Sequence, residues 1–357
     1  MNYDFDIVTL HRAENYGAAL QAYALKTYLC NSGYTAGVYD SKQISAPINK
    51  TLRGNIIRFA EGIAGLLNKK QFEEKSRKFK AFAEENFDIN RSDNVKAYIA
   101  GSDQVWNPIV FNPDYYLDFA PEGSVKVSYA ASIGVSELPE KTADKYRGYL
   151  SKFDYISVRE SSARTALQKF LPEKDSRVDL DPTFLLTKQE WEGLSYNGEN
   201  KIDGDYILLY ILHIPENINS LCKWLKKELN AKLVLIDTRG YLGMKIMHDR
   251  VLKNVGPEEF LALIRDAKAV ITTSFHGTAF SILFEKEFYS VLNLQFPSRV
   301  QNILTYFGIE PVSSTQKSFK RIRNNFSEIR TKLEQNRKIS ADYFNSIIES
   351  YEQKSDE

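Results

Sequence analysis

Three side chains with acid, base or cation chemistry lie in loops that each follow an apolar run of strand character. His276 follows the run 269–273 and precedes a predicted helix, so an imidazole and the free N–H groups of a helix start share one position. Asp103 follows the run 97–100, where its carboxylate can accept a proton from a hydroxyl group. Arg159 ends a third run, and its guanidinium suits a carboxylate or a phosphate. These three residues are the predicted catalytic groups, and they indicate acid–base chemistry on an anionic ligand.

Further polar and glycine residues of these and neighbouring loops are predicted to bind substrate. They are Asn15, Gly17, Ser102, Gln104, Trp106, Asn107, Ser132, Ser274, Gly277, Thr278 and Arg299. Trp106 is expected to stack on the face of a sugar. Gly17 is expected to let the backbone approach an anion at a helix start.

Several of these residues have a structural alternative that the sequence leaves open. Asn15 also suits the N-cap of the helix that follows it. The loop of Asp103 also suits a turn held by Asx hydrogen bonds, and Arg159 also suits an ion pair with Glu160. Asp181, just before a proline, either faces the ligand or caps a turn.

The elements that must position these loops alternate between short apolar runs and segments of helical period. This alternation is typical of βαβ units and of a parallel sheet. A strand at 6–10 leads to a helix at 16–31 that Gly33 ends, and Pro257 begins a later helix. Ligands of such sheets bind beyond the carboxyl ends of the strands, where the loops described above lie. The predicted fold class is therefore α/β, with two Rossmann-like domains and a cleft between them.

The predicted domain boundaries follow from the linkers. Residues 1–195 form the N-terminal Rossmann-like domain, with a helical insertion at about 49–86. A polar, glycine-containing linker at 195–204 separates it from the C-terminal Rossmann-like domain at 205–310. Residues 311–357 are predicted to form a helical tail.

The insertion is basic, with nine Lys or Arg against three Glu between positions 50 and 80. Its apolar segments at 56–59 and 63–67 leave two alternatives. They form either an amphipathic surface on a membrane that carries a lipid-linked acceptor, or helices that pack on the first domain with a solvated charged face. Helices that pack on the domain are the favoured alternative.

Composition restricts the class of protein. The chain of 357 residues has a net charge of +1 and 43% hydrophobic residues, which suits two globular domains and gives no field that attracts nucleic acid. Two cysteines, an N-terminus without a basic and apolar leader, and the lack of an apolar run of about 20 residues predict a cytoplasmic location. The sequence contains no metal-ligand cluster and no flavin or nicotinamide fingerprint, so no cofactor is expected.

Taken in order, the motifs resemble those of the polysaccharide pyruvyl transferase family. The residues that carry the resemblance are Asn15-Tyr16-Gly17-Ala18, Gly101-Ser102-Asp103-Gln104-Val105-Trp106-Asn107, Tyr129-Ala130-Ala131-Ser132-Ile133-Gly134, Val158-Arg159-Glu160, Asp181-Pro182-Thr183-Phe184-Leu185-Leu186, Ser274-Phe275-His276-Gly277-Thr278 and Arg299. They lie within about residues 4–310, and the ordered series is more specific than any single motif.

The resemblance implies a GT-B-like fold, phosphoenolpyruvate as co-substrate, and a sugar of a surface or capsular polysaccharide, or its lipid-linked precursor at the inner membrane surface, as acceptor. The implied product is a pyruvate ketal that bridges two hydroxyl groups. By the same resemblance, Arg159 binds the carboxylate or phosphate of the donor and His276 is the essential acid/base. Many members carry Arg-Leu-His where this chain has Ser274-Phe275-His276. Another cation, Arg299 or Lys245, is therefore expected to replace the missing arginine.

Two other functions explain the same features. One is a GT-B-like glycosyltransferase that uses a nucleotide sugar, since its architecture would be the same. The other is a non-catalytic carbohydrate-binding relative, which the departure at Ser274 leaves open.

Overall fold

The computed structural model describes residues 3–11, 13–41, 67–90, 94–109, 111–135, 138, 140–292 and 297–356. The chain divides into two compact units. The first unit combines residues 1–47, 83–186 and 328–357, and the second combines residues 48–82 and 187–327.

Parallel strands and helices alternate through the described residues. Strands β1 to β12 are Tyr3–Val8, Ala36–Tyr39, Ile89–Asn90, Val95–Ala100, Val125–Ser128, Ile156–Val158, Ser176–Val178, Tyr206–Tyr210, Lys232–Ile236, Arg250–Leu252, Ala269–Thr272 and Glu287–Ser290. Helices α1 to α10 are Tyr16–Asn31, Lys69–Asn86, Glu140–Leu150, Ser161–Phe170, Lys188–Leu194, Ile218–Leu229, Pro257–Asp266, Phe275–Leu283, Pro297–Phe307 and Phe326–Asp356. The predicted α/β fold class is confirmed.

The first unit is built on a parallel sheet in the order β3-β2-β1-β4-β5. One face, with Phe5 of β1, packs against Leu25 of α1 and Phe344 of α10. The other face packs on a cluster that includes Trp106 and Phe153. Strands β6 and β7 pair with each other and continue the sheet beyond β5 through isolated bridges.

The second unit repeats this arrangement with a parallel sheet in the order β10-β9-β8-β11-β12. Its central strand β8 is buried along its whole length. The apolar side chains of β8, β9 and β11 pack against α6, where Leu221 and Leu225 are fully buried. Each sheet therefore has the doubly wound order in which loops at the carboxyl ends of adjacent central strands come together.

Helix α2 belongs mainly to a different unit from the predicted one, and most of the predicted helical tail packs on the first unit. Helix α2 packs through Phe79 within the second unit, where Lys78 Nζ lies 2.9 Å from Oε2 of the buried Glu259. The C-terminal helix α10 packs on the first unit, where Tyr343 Oη donates to the carbonyl of Ser128 at 2.8 Å. The boundaries differ because these contacts join residues far apart in sequence.

The predicted membrane-facing segments at 56–59 and 63–67 lie outside the described residues, apart from Leu67, which is exposed. In the described part of the same region, the apolar side of α2 is covered by protein, since Phe79 and Phe82 are buried. No helix in the described ranges is long and apolar enough to cross a bilayer.

Candidate functional site

In the first unit, backbone pairing aligns the loops at the carboxyl edge of the sheet. Asp103 pairs with Ala131, which pairs in turn with Val158, so the segments that follow β4 and β5 lie beside the end of β6. Gly101 permits the close approach of the first loop, because a Cβ at this position would lie 2.9 Å from the Cβ of Thr9. The sheet therefore brings the predicted base to the same edge as the end of β6.

Arg159 directly follows β6 and lies among three carboxyl groups, which we call the carboxylate cluster (Asp103, Glu160 and Asp181). Its Nη1 is 2.7 Å from Oδ2 of Asp181. Its Nε is 3.6 Å from Oε1 of Glu160, and its Nη2 is 4.0 Å from Oδ1 of Asp103. The Arg159 side chain is only 2% exposed. Burial lowers the pKa of this guanidinium, but the surrounding carboxyl groups outweigh burial and raise the pKa above its ordinary value.

Serine hydroxyls complete the hydrogen bonds of the carboxylate cluster. Ser102 Oγ donates to Oδ2 of Asp181 at 3.0 Å, and Ser132 Oγ donates to Oε1 of Glu160. The second oxygen of Asp181 accepts the backbone N–H of Thr183 at 3.1 Å, so the turn-capping alternative for this residue is observed. The predicted substrate contacts of Ser102 and Ser132 are corrected, because both side chains are fully buried and donate within the protein.

Asp103 is the most exposed member of the carboxylate cluster, with a side chain that is 11% exposed. Its backbone has a φ of 66°, a left-handed conformation that is strained for a residue with a side chain. Two hydrogen bonds of 2.9 Å hold it, one from the N–H of Gln104 to Oδ1 and one from the N–H of Ser132 to the carbonyl oxygen. Asn107 Nδ2 donates to Gln104 Oε1 at 2.7 Å beside it. Strain held in place by the surroundings is typical of functional positions.

Three other predicted substrate contacts of the first unit have structural roles. Trp106 is 0% exposed, and its indole N–H donates to the carbonyl of Tyr115 at 3.0 Å, so it belongs to the core and does not present a face to a sugar. Asn15 Oδ1 accepts the N–H groups of Gly17 at 2.9 Å and Ala18 at 3.3 Å, which makes it the N-cap of α1. Gly17 is buried in the first turn of that helix and offers no open backbone to a ligand.

The direct contact of Arg159 with an anionic donor stays a prediction. Its Nη1 donates to a buried carboxyl group at 2.7 Å. The ion-pair alternative is the one observed, with Asp181 as a closer partner than the predicted Glu160. The sequence could not distinguish the two, because an arginine at a strand end suits both.

In the second unit, His276 lies in the first turn of α8, just beyond the carboxyl end of β11. Ser274 is the N-cap of this helix, and its Oγ accepts the N–H of Gly277 at 3.3 Å. His276 therefore lies within the first turn of this helix rather than before it. His276 is 8% exposed.

The two residues after His276 pack the helix start against the sheet. A Cβ at Gly277 would lie 2.3 Å from Oγ1 of Thr272, so only glycine fits there without a shift. Thr278 Oγ1 lies 2.8 Å from Oγ of Ser290. Both residues are buried, which corrects their predicted role as substrate contacts.

The loop after β8 lies against the residue that precedes Ser274. The backbone N–H groups of Leu212 and His213 both donate to Oγ1 of Thr273, at 2.9 and 3.4 Å. Burial, and to a smaller extent the charge of Arg239, lower the pKa of His213, so this imidazole is neutral at pH 7. No motif marks His213 in the sequence, and only the sheet topology brings it to this edge.

The two cations expected to replace the missing arginine lie in different segments of the second unit. Arg299 is half-buried in the first turn of α9. Lys245 is exposed, and its Nζ lies 5.5 Å from the centre of the Tyr241 ring. Within the described ranges, no group of three or more His, Cys, Asp or Glu residues is arranged to hold a metal ion. Each sheet edge thus offers one group for proton transfer, Asp103 in the first unit and His276 in the second.

Comparison with protein families finds one match. The sequence profile described as "Polysaccharide pyruvyl transferase" matches residues 15–294. A comparison with curated proteins finds no match.

Comparison with solved structures finds sugar-nucleotide enzymes of low sequence identity. The S. aureus MnaA-UDP co-structure is 12% identical, with a TM-score of 0.50 over 94% of this chain and 90% of that one. UDP-GlcNAc 2-epimerase from Methanocaldococcus jannaschii is 12% identical, with a TM-score of 0.48 over 94% of this chain and 92% of that one. The enzyme from Neisseria meningitidis bound to UDP-GlcNAc is 10% identical, with a TM-score of 0.46 over 96% and 93%. The first of these likenesses supports the predicted GT-B-like fold, which is confirmed.

Proposed function

Since the chain belongs to the polysaccharide pyruvyl transferase family, we propose that it transfers a pyruvyl group from phosphoenolpyruvate to a sugar and forms a ketal. The proposed acceptor is a unit of a surface or capsular polysaccharide, or its lipid-linked precursor. The observation that carries the proposal is the place of His276 in the first turn of α8, at the carboxyl edge of a parallel sheet. An imidazole at this position can transfer a proton while the positive end of the helix dipole favours negative charge nearby.

The proposed reaction balances with the groups of the chain. His276 protonates the methylene carbon of phosphoenolpyruvate, and a sugar hydroxyl adds to the adjacent carbon while Asp103 accepts its proton. The second hydroxyl then displaces phosphate from the same carbon, and its proton leaves with the phosphate. The products are a pyruvate ketal and inorganic phosphate. The net reaction consumes neither an oxidant nor a reductant.

The experiment that tests this function mixes the purified chain with phosphoenolpyruvate and a panel of methyl glycosides. Release of phosphate and the mass gain of a ketal on one glycoside are the expected results. His276→Gln is expected to lower kcat/KM by about 10²-fold or more, the usual contribution of general acid–base catalysis. His248→Gln is the matched control, since His248 is half-buried and lies in a loop, with its Nδ1 2.9 Å from the carbonyl oxygen of Ile246. Normal turnover by His276→Gln would refute the assigned role.

A binding measurement on the same purified protein tests the alternative that the chain uses a nucleotide sugar. The solved structure with UDP among the similar folds makes UDP the appropriate competing ligand. Calorimetric titration is expected to detect phosphoenolpyruvate and not UDP. Binding of UDP without binding of phosphoenolpyruvate would favour a glycosyltransferase and contradict pyruvyl transfer.

A further inference from the structure

We infer that Arg159 is a positioning residue that holds the carboxylate cluster and thereby orients Asp103, rather than a residue that contacts the donor. The inference rests on the proposed function, because it concerns which groups of that site meet phosphoenolpyruvate. It reverses the role that the family resemblance implies for this arginine.

Through Nη1, the guanidinium already donates to a buried carboxyl group. Its closest contact, 2.7 Å from Nη1 to Oδ2 of Asp181, joins two side chains that are 2% and 0% exposed. A buried charge that loses its partner costs several kcal/mol, so a ligand would have to provide at least as good a contact to take its place. The neighbouring Ser102 donates to the same oxygen of Asp181 and helps to hold that carboxyl group in place.

The charges around Arg159 also disfavour an anionic donor. One guanidinium faces the three carboxyl groups of the carboxylate cluster, so negative groups outnumber the positive one at this edge. A phosphate or carboxylate placed against Arg159 would meet these groups at short range, where like charges repel strongly in a buried site. The hydroxyl groups of a sugar carry no charge and can donate to the exposed oxygen of a carboxylate. The edge therefore suits the acceptor better than the donor.

Arg159 also lies close to Asp103. The side chain of Asp103 receives a hydrogen bond from the N–H of Gln104 and lies 4.0 Å from Nη2 of Arg159. Its strained backbone, with a φ of 66°, needs surroundings that hold it. The backbone of Arg159 lies beside this segment, since its N–H donates to the carbonyl of Ala131 at 3.1 Å and Ala131 pairs with Asp103. Loss of the guanidinium would leave the carboxylate of Asp103 without its nearest cation.

The test compares Arg159→Lys and Asp181→Asn with the wild type in turnover and in calorimetric binding of phosphoenolpyruvate. Arg177→Lys is the matched control, because Arg177 makes a bidentate pair with the buried Asp179 through two contacts of 2.7 Å. A positioning role predicts that both test variants lose at least tenfold in kcat, while the Kd and KM of phosphoenolpyruvate stay within threefold of the wild type. Arg177→Lys is expected to keep the wild-type kcat and the wild-type Kd and KM of phosphoenolpyruvate.

The inference is overturned if Arg159→Lys and Asp181→Asn affect different properties. If Arg159 contacts the donor, Arg159→Lys weakens phosphoenolpyruvate binding more than tenfold, whereas Asp181→Asn frees the guanidinium and leaves kcat unchanged.

A further measurement separates failure of the inference from failure of the proposed function. If the wild type neither binds nor consumes phosphoenolpyruvate, the proposed function fails, and the commitment of Arg159 to the cluster is decided by a double-mutant cycle in urea unfolding. The cycle uses Arg159→Gln, Asp181→Asn and the double variant. Coupling of at least fivefold in the unfolding equilibrium constant supports the positioning role, and additive effects overturn it.

Discussion

The two sheets of the molecule have the same order of parallel strands, but different interactions stabilise the loops at their carboxyl edges. In the first unit the edge is held by buried charges, with Arg159 at the centre of the carboxylate cluster. In the second unit it is held by hydroxyl groups. Thr272 Oγ1 donates to the carbonyl of Tyr210 at 2.8 Å and accepts the N–H of Ser274 at 3.0 Å. Topology therefore decides where the loops meet, and the side chains decide which charge they present.

The proposed pyruvyl transfer requires two tasks, and each edge is suited to one of them. An edge rich in carboxylates suits a neutral acceptor and a base, whereas an edge with hydroxyls and a helix start suits negative charge. Buried charges are costly unless each is paired, so the first edge is expected to be sensitive to any change of charge. At the second edge, substitutions that change the size of a side chain are expected to lower stability. The following predictions test that contrast.

The largest effect is expected from Asp6, which is 0% exposed in the central strand β1 of the first sheet. The corresponding central strand β8 contains only Tyr, Ile and Leu. Burial raises the pKa of Asp6 from 3.8 to about 7, while the backbone N–H of Ile7 lowers it to a smaller extent. Between about pH 4 and pH 7 the unfolded chain is therefore ionised at this residue while the folded chain is protonated. The free energy of unfolding falls as the pH rises through this window and does not recover above it.

Asp6→Asn removes this cost. A shift of about three pKa units corresponds to roughly 4 kcal/mol, so we expect a gain of about 2–4 kcal/mol at pH 8 and little change at pH 4. Urea unfolding at the two pH values measures the difference, with the exposed Asp203→Asn as control. An equal effect of Asp6→Asn at both pH values would show that the first sheet does not carry this buried charge.

The next effect tests shape in the second unit. Gly277→Ala places a Cβ 2.3 Å from Oγ1 of Thr272, so the start of α8 must move away from β11. Overpacking of this kind costs about 1–3 kcal/mol, and we expect a loss of about 2 kcal/mol in urea unfolding. Gly193→Ala is the control, since nothing lies within 4 Å of its added Cβ. A stability loss no greater than that of the control would mean that the helix start is not held tightly.

Several elements could be predicted from the sequence because their signals are local. The helix at 16–31 was predicted with its observed bounds, since Asn15 caps its start and Gly33 follows its end. The start of the helix Pro257–Asp266 is also predicted correctly, because proline suits a first helical turn. The apolar runs predict the central strands, because a strand buried on both faces needs a continuous apolar segment.

The membership of the units could not be predicted, because it depends on contacts between distant residues. Lys78 and Glu259 are 181 positions apart, and nothing near either residue indicates the other. Asp181 and Arg159 are similarly joined only by the fold, since the sequence leaves open whether Asp181 faces a ligand or caps a turn. Trp106 was assigned to a ligand because sequence pattern does not reveal which side of a loop an indole faces.

The smallest effect concerns one hydroxyl of the second edge. Ser274→Ala removes the side chain that accepts the N–H of Gly277 and leaves that donor of α8 without its cap. Loss of an N-cap costs about 1 kcal/mol, well below the effect expected for the buried charge of Asp6, and urea unfolding measures it. Ser274→Asp is the control, because its carboxylate can accept the same N–H and favours the positive end of the helix. If both variants lost the same stability, the helix start would be held by packing of Gly277 and Thr278 alone, and the role of hydroxyls in the second edge would be smaller than the hydrogen bonds indicate.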